Sequence, residues 1–277
     1  MNNPYLNIAT EAAHRAGELA MRYRGRLESI PVERKARHDY VSDVDRACEQ
    51  IIREWITRHH RDHAILGEEQ GLSGDSDHVW IIDPIDGTSN YLRGIAHFAI
   101  SIALQVEGRL EAGVVYNPAS DEMFTASRGQ GAFLNNRRIR VSGRKELDSA
   151  VVATSFPFRT RRLMDAYQGM FDAVFSKVED IRRIGAASLD LAYVACGRLD
   201  AYWELNLKPW DVAAGALLVQ EAGGVVMDVA GGDRWLSSGH ILAAPFKLIT
   251  PLRAAIEPHV DNRVKVRLSA SKNPVEN

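Results

Sequence analysis

The sequence has few of the features that mark secreted, membrane or nucleic-acid-binding proteins. Only two of its 277 residues are cysteines. Cys48 and Cys196 lie in separate apolar helical patterns, which excludes the close spacing of a zinc site or a redox pair. Lysine and arginine number 34 against 36 aspartate and glutamate, so no positive excess indicates nucleic acid or an anionic membrane as the main partner. No apolar run approaches the roughly 20 residues that cross a bilayer. We therefore expect a cytoplasmic protein with buried free thiols.

Length and composition instead indicate a globular chain in two parts. With 45% hydrophobic and 25% charged residues, the chain can bury one large core or two smaller ones, and a prior of roughly 150 residues per domain favours two. We place the boundary between residues 1–145, with helices and an antiparallel sheet, and residues 146–260, where strands and helices alternate. The polar residues 261–277 have little periodicity and are predicted to form a flexible tail.

Hydrophobic periodicity predicts the elements of both parts. Apolar residues at three- and four-residue steps predict two amphipathic helices, one near Leu6–Ala20 and one near Val44–Trp55. Between Val79 and Ser142, β-branched runs separated by turn residues predict an antiparallel meander. From about residue 149 to residue 229, short strands alternate with helices, which is typical of a layered α/β region.

One segment has a pattern suited to metal ions. Residues 79–82 form a buried-looking strand that runs directly into Asp83. Pro84 removes a backbone donor and is predicted to end regular strand pairing, so the chain must turn there. That turn can bring Asp83 and Asp86 to one side, with the Ile85 carbonyl between them. Three oxygen ligands then converge, as Mg²⁺ prefers.

The residues that follow suit a phosphate group. Gly87 permits close approach of the backbone, and residues 87–90 are typical of a helix start whose free N–H groups can receive phosphate oxygens. The alternative is that Asp86 only caps this helix while Asp83 ends a strand at a solvated turn. Two carboxylates on either side of Pro-Ile at the end of an apolar strand, followed by Gly-Thr, favour the metal site.

Two separated motifs carry a family resemblance. Residues 80–90, Trp-Ile-Ile-Asp-Pro-Ile-Asp-Gly-Thr-Ser-Asn, resemble the first signature of the inositol monophosphatase family, and residues 210–215 with 221–224, Trp-Asp-Val-Ala-Ala-Gly and Glu-Ala-Gly-Gly, resemble the second. Residues 182–193 are most similar to the bacterial SuhB-type branch. The resemblance implies an α/β fold with α+β character, layered as an α-β-α-β-α sandwich. It also implies Mg²⁺-dependent hydrolysis of small phosphate monoesters, inositol 1-phosphate above all.

The same resemblance assigns metal ligands for two or three Mg²⁺ ions. Glu68, Asp83 and the Ile85 carbonyl hold one ion in this assignment. Asp83, Asp86 and Asp211 hold a second, and a third, looser ion lies near Glu68. Residue type alone also allows a plainer role for two of these ligands, because paired glutamates often decorate a solvated loop and Asp211 can cap the helix that follows it.

Water activation and substrate contacts are also implied by the resemblance. Asp45 and the Thr88 hydroxyl orient the attacking water, with Glu68 as a further catalytic residue, although Asp45 also fits a capping box opened by Ser42. Gly87 and Thr88 bind phosphate. The implied substrate contacts are Asp86, Gly185, Ala186, Ala187, Glu204 and Asp211. For the three small residues among them, tight packing is the alternative role.

The sequence leaves more than one partner and more than one substrate as alternatives. SuhB-type relatives are associated with transcription antitermination, so RNA polymerase or antitermination factors are alternative partners for the basic stretches at residues 159–162 and 182–183. A solvated face or a dimer contact would have the same composition. The metal framework would also serve fructose 1,6-bisphosphate or adenosine 3',5'-bisphosphate. Family likeness further implies a homodimer and inhibition by lithium.

Overall fold

A computed structural model describes residues 3–25, 32–36 and 39–265 of the chain. In these ranges two β-sheets alternate with three layers of helices, in the order α-β-α-β-α. The layered α/β fold implied by the family resemblance is confirmed. Within the same ranges, no helix combines the length and the apolar character needed to span a bilayer.

The first outer layer consists of α1 (Pro4–Arg24) and α2 (Asp43–His59), the two amphipathic helices predicted from periodicity. Asn3 caps α1 by accepting hydrogen bonds from two N–H groups of the first turn. The inward face of α1 is mostly alanine and fully buried, so the helix can lie close against the sheet. A hairpin of β1 (Val32–Ala36) and β2 (Asp39–Ser42) lies between the two helices in the chain.

The larger sheet carries the meander. Its strands are β3 (Ala64–Gly67), β4 (Gly71–Ser73), β5 (His78–Asp86), β6 (Ala99–Val106), β7 (Arg109–Asn117), β8 (Glu122–Ser127), β9 (Gly131–Leu134) and β10 (Arg137–Ile139). They lie in the order β10-β9-β8-β7-β6-β5-β3-β4. From β5 to β10 each strand pairs antiparallel with the next, as predicted. The parallel pairing of β3 with β5 was not predicted, because four residues are too few to show a period.

Alternation along the central strands separates the two faces of this sheet. Trp80 and Ile82 pack in the cluster formed with α1 and α2, whereas Ile81 packs in the cluster formed with the next helix layer. On β6, Ile100 faces the first cluster and Ala99 faces the second. Helices cover both faces, so both sets of side chains are buried.

The middle layer consists of α5 (Ala187–Ala195) and α6 (Pro209–Glu221), which lie between the two sheets. Nine consecutive residues of α6, from Asp211 to Val219, are buried. A helix that is apolar all round is expected where sheets cover it on both sides. The N-terminal ends of both helices therefore lie inside the molecule, near the junction of the two sheets.

The second sheet and the last helix layer complete the fold. β11 pairs parallel with β12 and β13, while β15 pairs antiparallel with β13 and β14. The strands are β11 (Val151–Thr154), β12 (Asp180–Arg182), β13 (Ala201–Glu204), β14 (Gly224–Asp228) and β15 (Ile241–Pro245). Besides the short α3 (Thr88–Leu92), which follows β5, the further helices are α4 (Met164–Phe175), α7 (Trp235–Ser238), α8 (Phe246–Ile256) and α9 (Asn262–Lys265). The predicted alternation of strands and helices is present here.

Two expectations differ from the structure. Regular pairing ends after Asp83 as predicted, but the chain does not turn at Pro84, because β5 continues to Asp86 through an irregularity in its pairing. The tail predicted from residue 261 begins with a helical turn, α9 (Asn262–Lys265), in which Val264 is buried against the last helix layer. This helical turn was not predicted, because Val264 is its single apolar residue in a polar segment. Residues 266–277 lie outside the described ranges.

Candidate active site

Two of the predicted metal ligands lie at the end of β5, on either side of the strand's irregularity. The pairing shifts from Asp83 opposite Ser101 to Asp86 opposite Ala99, so three steps along β5 match two along β6. This is a β-bulge of one extra residue, at the point where Pro84 has no N–H to donate. On a regular strand, residues three apart point to opposite faces, and one extra residue removes that difference. Asp83 and Asp86 can therefore point to the same side.

Asp211 completes a cluster of three buried carboxylates. One carboxylate oxygen of each of Asp83, Asp86 and Asp211 lies within 4.8 Å of the other two. Their exposed fractions are 1%, 8% and 7%. Asp211 lies in the first turn of α6, where the Lys208 N–H donates to its Oδ2 at 2.7 Å. Asp211 therefore does not precede the helix, as the capping alternative had it, because α6 begins at Pro209. Its carboxylate accepts the N–H of the N-cap residue Lys208 with one oxygen, which is compatible with its position in the cluster.

Glu68 joins this cluster from β3. Because β3 runs parallel to β5, both strands end at the same edge of the sheet, and the Glu68 N–H donates to the Ile82 carbonyl at 3.1 Å. The carboxyl group of Glu68 forms a hydrogen bond with that of Asp83. Glu68 therefore lines the same cleft as the three aspartates.

Burial and repulsion from neighbouring carboxylates raise the pKa values of Asp83 and Asp86. For Asp83, burial is the largest cause and the charges of Glu68, Asp86 and Asp211 add to it, so its pKa lies well above the ordinary 3.8. Burial, followed by the charge of Asp211, raises the pKa of Asp86 to about 7. A divalent cation would remove this repulsion, and a donor set made only of oxygens suits a hard ion such as Mg²⁺. The residues present therefore fit the metal that the family implies.

Thr88 connects the cluster to Asp45. The Thr88 Oγ1 lies 3.1 Å from Asp45 Oδ1 and 3.0 Å from the Ile85 carbonyl oxygen. Asp45 is buried in the first turn of α2 and does not itself line the cleft, whereas Thr88 does. The structure thus brings together the pair predicted to orient water. The Ser42 side chain, needed for the alternative capping box, lies outside the described residues.

The phosphate-binding segment begins at Gly87. Its φ of 88° lies in the left-handed region that favours glycine, and a Cβ there would lie 3.1 Å from the Ala186 Cβ. Gly87 therefore ends β5 and opens α3 (Thr88–Leu92), the predicted helix start. The first N–H groups of such a helix have no partner within it. Gly87, Thr88 and Ser89 all line the cleft.

Only some of the substrate-contact residues implied by the family resemblance line the cleft. Gly185, Ala187 and Glu204 line the cleft, whereas Ala186 is buried behind Gly87 and does not line it. Ala186 therefore has the packing role that was the alternative to a substrate contact. Burial raises the pKa of Glu204 to about 8, and the Tyr202 hydroxyl donates to its carboxylate. Glu204 is thus positioned by its neighbour on β13.

Several residues of the site were not assigned their present role from the sequence. Ser188 donates two hydrogen bonds to Asp86 from 102 positions away in the chain. The Asn90 side chain donates to the carbonyl groups of His97 and Ile184, which ties α3 to the wall of the cleft. Half-exposed Phe158, with the Arg183 guanidinium 5.4 Å from its ring centre, forms part of the rim. Only the contact itself reveals such partners, because no spacing rule joins distant segments.

The sequence and the fold both have known relatives. The sequence model of the inositol monophosphatase family matches residues 1–260. Nus factor SuhB of Pseudomonas aeruginosa is 52% identical over 268 residues, covering 95% of this chain and 99% of the relative. The crystal structure of extragenic suppressor protein SuhB from Bartonella henselae is 43% identical, covers 92% of this chain and 99% of its own, and has a TM-score of 0.89. An inositol monophosphatase structure from Anabaena is 38% identical over 92% of this chain and 95% of its own, with a TM-score of 0.83. This protein belongs to the inositol monophosphatase family.

Proposed function

We propose that this protein hydrolyses small phosphate monoesters in a Mg²⁺-dependent reaction, with inositol 1-phosphate as the leading substrate. The observation that carries the proposal is the cluster of Asp83, Asp86 and Asp211 in a cleft that also exposes Thr88. Family membership supports a phosphatase activity, and the family is generally metal-dependent. The name of the Anabaena relative, inositol monophosphatase, supports the choice of substrate.

The carboxylates divide between two proposed ions. Glu68, Asp83 and the Ile85 carbonyl would hold one Mg²⁺, and Asp83, Asp86 and Asp211 would hold the second, so Asp83 is shared. A third, looser ion is proposed near Glu68. When bound, Mg²⁺ neutralises phosphate charge and makes a coordinated water more acidic. The acidic floor of the cleft otherwise repels a phosphate ester.

The residues of the chain itself orient the reacting groups. The Thr88 hydroxyl, held by Asp45 and the Ile85 carbonyl, accepts a hydrogen bond from the attacking water and aims its oxygen at phosphorus. The N–H groups at the start of α3 receive phosphate oxygens. Phosphoryl transfer needs mainly positioning and charge neutralisation, so no phosphoenzyme is proposed.

On the leaving-group side, small residues and one carboxyl group would receive the alcohol. Gly185 and Ala187 leave room for a ring in a cleft of about 180 Å³. The raised pKa of Glu204, about 8, keeps its carboxyl largely protonated at neutral pH. A protonated carboxyl both donates and accepts hydrogen bonds, which suits vicinal hydroxyl groups of a polyol.

The test compares Asp83→Asn with the wild-type protein. We expect wild-type protein to release phosphate from inositol 1-phosphate with Mg²⁺ and not with a chelator, and Asp83→Asn to lose this activity while keeping its circular dichroism spectrum. Asp228→Asn is the matched control, because Asp228 is also buried but accepts hydrogen bonds from Ala230 and Ser238 away from the cleft. Wild-type turnover by Asp83→Asn would refute the metal assignment.

A substrate panel tests the finer claim. Fructose 1,6-bisphosphate, adenosine 3',5'-bisphosphate and the glycerol phosphates are compared with inositol 1-phosphate at equal Mg²⁺. A higher kcat/KM for any of them replaces inositol 1-phosphate as the leading substrate and leaves the reaction class unchanged.

A second candidate function comes from the names of the relatives. The Pseudomonas relative is called a Nus factor, and we propose that this chain also binds the transcription antitermination machinery. Exposed Arg162 and Arg182 belong to the basic stretches that would contact it. A pull-down with RNA polymerase and its elongation factors tests this, using wild type and Asp83→Asn. Capture of both proteins supports a binding function independent of metal chemistry, and capture of neither refutes it. The homodimer stays a prediction, which sedimentation velocity would test.

A further inference from the structure

Ser188 makes an unusual pair of contacts with one oxygen of a proposed metal ligand. Its backbone N–H donates to Asp86 Oδ2 at 2.7 Å, and its hydroxyl donates to the same oxygen at 2.6 Å. Ser188 is fully buried in the first turn of α5, and Asp86 ends β5. Two donors from one residue thus converge on a single carboxylate oxygen.

These contacts decide which Asp86 oxygen is available to a cation. Oδ2 is occupied by two short hydrogen bonds, whereas Oδ1 accepts no hydrogen bond from the described residues. Asp86 nevertheless lines the cleft with Asp83 and Asp211. Because the two oxygens of a carboxylate are equivalent, a half-turn changes nothing. The two Ser188 donors instead fix the plane and tilt of the carboxylate, with one oxygen held on Ser188 and the other left without a hydrogen bond from the part of the chain that the structure describes.

We propose that Ser188 is a positioning residue for the metal site, which fixes the orientation of the Asp86 carboxylate so that the oxygen not bound to Ser188 is presented to the second cation. The inference rests on the proposed function, because it needs a cation beside Asp86. Removing a residue that forms a hydrogen bond to a metal ligand commonly lowers metal affinity about 10- to 100-fold. The hydroxyl contributes here, because a second donor on the same oxygen restricts the tilt of the carboxylate more than the backbone N–H alone.

The same contacts join the metal site to the substrate wall. Ala186, the N-cap residue of α5, has no side chain that can accept the free N–H groups of the first turn, and Asp86 accepts one of them instead. Residues 185–187 lead directly into this turn. Asp86 therefore caps α5 with one oxygen and offers the other to the cation.

The experiment measures metal binding without turnover. Mn²⁺, which shares the oxygen preference of Mg²⁺, is titrated into wild type and Ser188→Ala by electron paramagnetic resonance. We expect Ser188→Ala to bind the tightly held Mn²⁺ about 10- to 100-fold more weakly. The Mg²⁺ concentration for half-maximal phosphate release should rise by a similar factor, with kcat at saturating Mg²⁺ changed far less. Ser188→Thr keeps the hydroxyl and should restore most of the affinity.

Ser238→Ala is the matched control. Ser238 is also buried, and its hydroxyl donates to one oxygen of buried Asp228, outside the cleft. Both variants lose one serine–aspartate hydrogen bond, and Ser238→Ala also removes the acceptor of the His240 N–H at 3.1 Å. A loss of metal-free thermal stability in Ser238→Ala at least as large as that in Ser188→Ala, without a loss of Mn²⁺ affinity, separates the structural effect from the metal effect.

The outcomes distinguish failure of the Ser188 inference from failure of the proposed function. If wild-type protein binds Mn²⁺ and Ser188→Ala binds it equally well, the positioning role is wrong and the proposed function stands. If Ser238→Ala weakens Mn²⁺ binding as much as Ser188→Ala, the effect is general destabilisation and the inference is wrong. If wild-type protein binds no Mn²⁺ and no Mg²⁺, the proposed function itself fails.

Discussion

In the metal-free protein, Asp86→Asn is expected to increase the free energy of unfolding at pH 8 and to leave it nearly unchanged at pH 4. Asp86 lies beside other carboxyl groups in a buried cluster, so its charged form is disfavoured in the folded protein. Asparagine carries no charge, and its side-chain oxygen can still accept the two hydrogen bonds from Ser188. The substitution therefore removes the repulsion and keeps the contacts.

The magnitude follows from the pKa of Asp86. Burial, followed by the charge of Asp211, raises that pKa from the ordinary 3.8 to about 7, and each pKa unit corresponds to about 1.4 kcal/mol. Between these two pH values the folded protein holds a proton that the unfolded chain has released, so stability falls as the pH rises. Above pH 7 the full effect of about 4 kcal/mol opposes folding. Asp86 titrates together with neighbouring carboxyl groups, among them Asp83 and Asp211, so about 4 kcal/mol is the upper limit for Asp86→Asn.

The assay is urea unfolding, followed by circular dichroism, at several pH values from 4 to 8 with a chelator present. The quantity of interest is the difference in unfolding free energy between Asp86→Asn and wild type, because titrating groups far from position 86 cancel in it. Exposed Asp172 on α4 provides a control. The unfolding free energy of Asp172→Asn should change with pH in the same way as that of wild type. A difference for Asp86→Asn that stays constant with pH, or that shrinks as the pH rises, refutes the reasoning.

Further predictions concern the reaction and the fold. Thr88→Val removes the hydroxyl beside Asp45 and is expected to lower kcat about 100-fold or more with little change in Mn²⁺ affinity, measured by phosphate release and metal titration. Glu204→Gln should raise KM for inositol 1-phosphate more than KM for glycerol phosphate, because Glu204 lines the leaving-group side of the cleft; equal changes in a steady-state comparison would count against that role. Lithium should inhibit turnover progressively by occupying a vacated Mg²⁺ site, and rates that are flat across a titration would contradict this. Burial is the largest cause that lowers the pKa of His63, and its Nδ1 accepts a hydrogen bond from Trp80 Nε1 at 3.0 Å. On lowering the pH, the unfolded chain therefore binds the proton before the folded protein does, and the free energy of unfolding should fall below about pH 6.5. This fall should be smaller in His63→Gln, as measured by urea unfolding.

Much of the fold was predictable because its signals are local. The apolar steps in α1 and α2, and the turns between β5 and β10, depend on residues a few positions apart. Strands of three or four residues, such as β3 and β4, are too short for such periods. The helical turn α9 was missed because one buried side chain, Val264, outweighs its polar neighbours only when the last helix layer is present.

The candidate site was predictable in its residue types and less so in its geometry. Proline after Asp83 correctly marked the end of regular pairing, but the sequence predicted a turn of the chain where the structure has a bulge within β5. The run of small residues suggested three substrate contacts, yet Ala186 is used to pack against Gly87. A small side chain serves both purposes equally well, so its type alone does not decide between them.

The sequence by itself determined which chemical groups this protein offers: an apolar strand leading into two aspartates, a glycine that opens a helix, and a third aspartate at the start of α6. The tertiary structure alone decided that β3, β5, α2 and α6 meet, so that Glu68, Asp45 and Asp211 lie near the same cleft edge. It also decided that Ser188 holds Asp86. The reason is physical, because side-chain chemistry belongs to each residue, whereas convergence depends on how the layers pack across distances that no local pattern records.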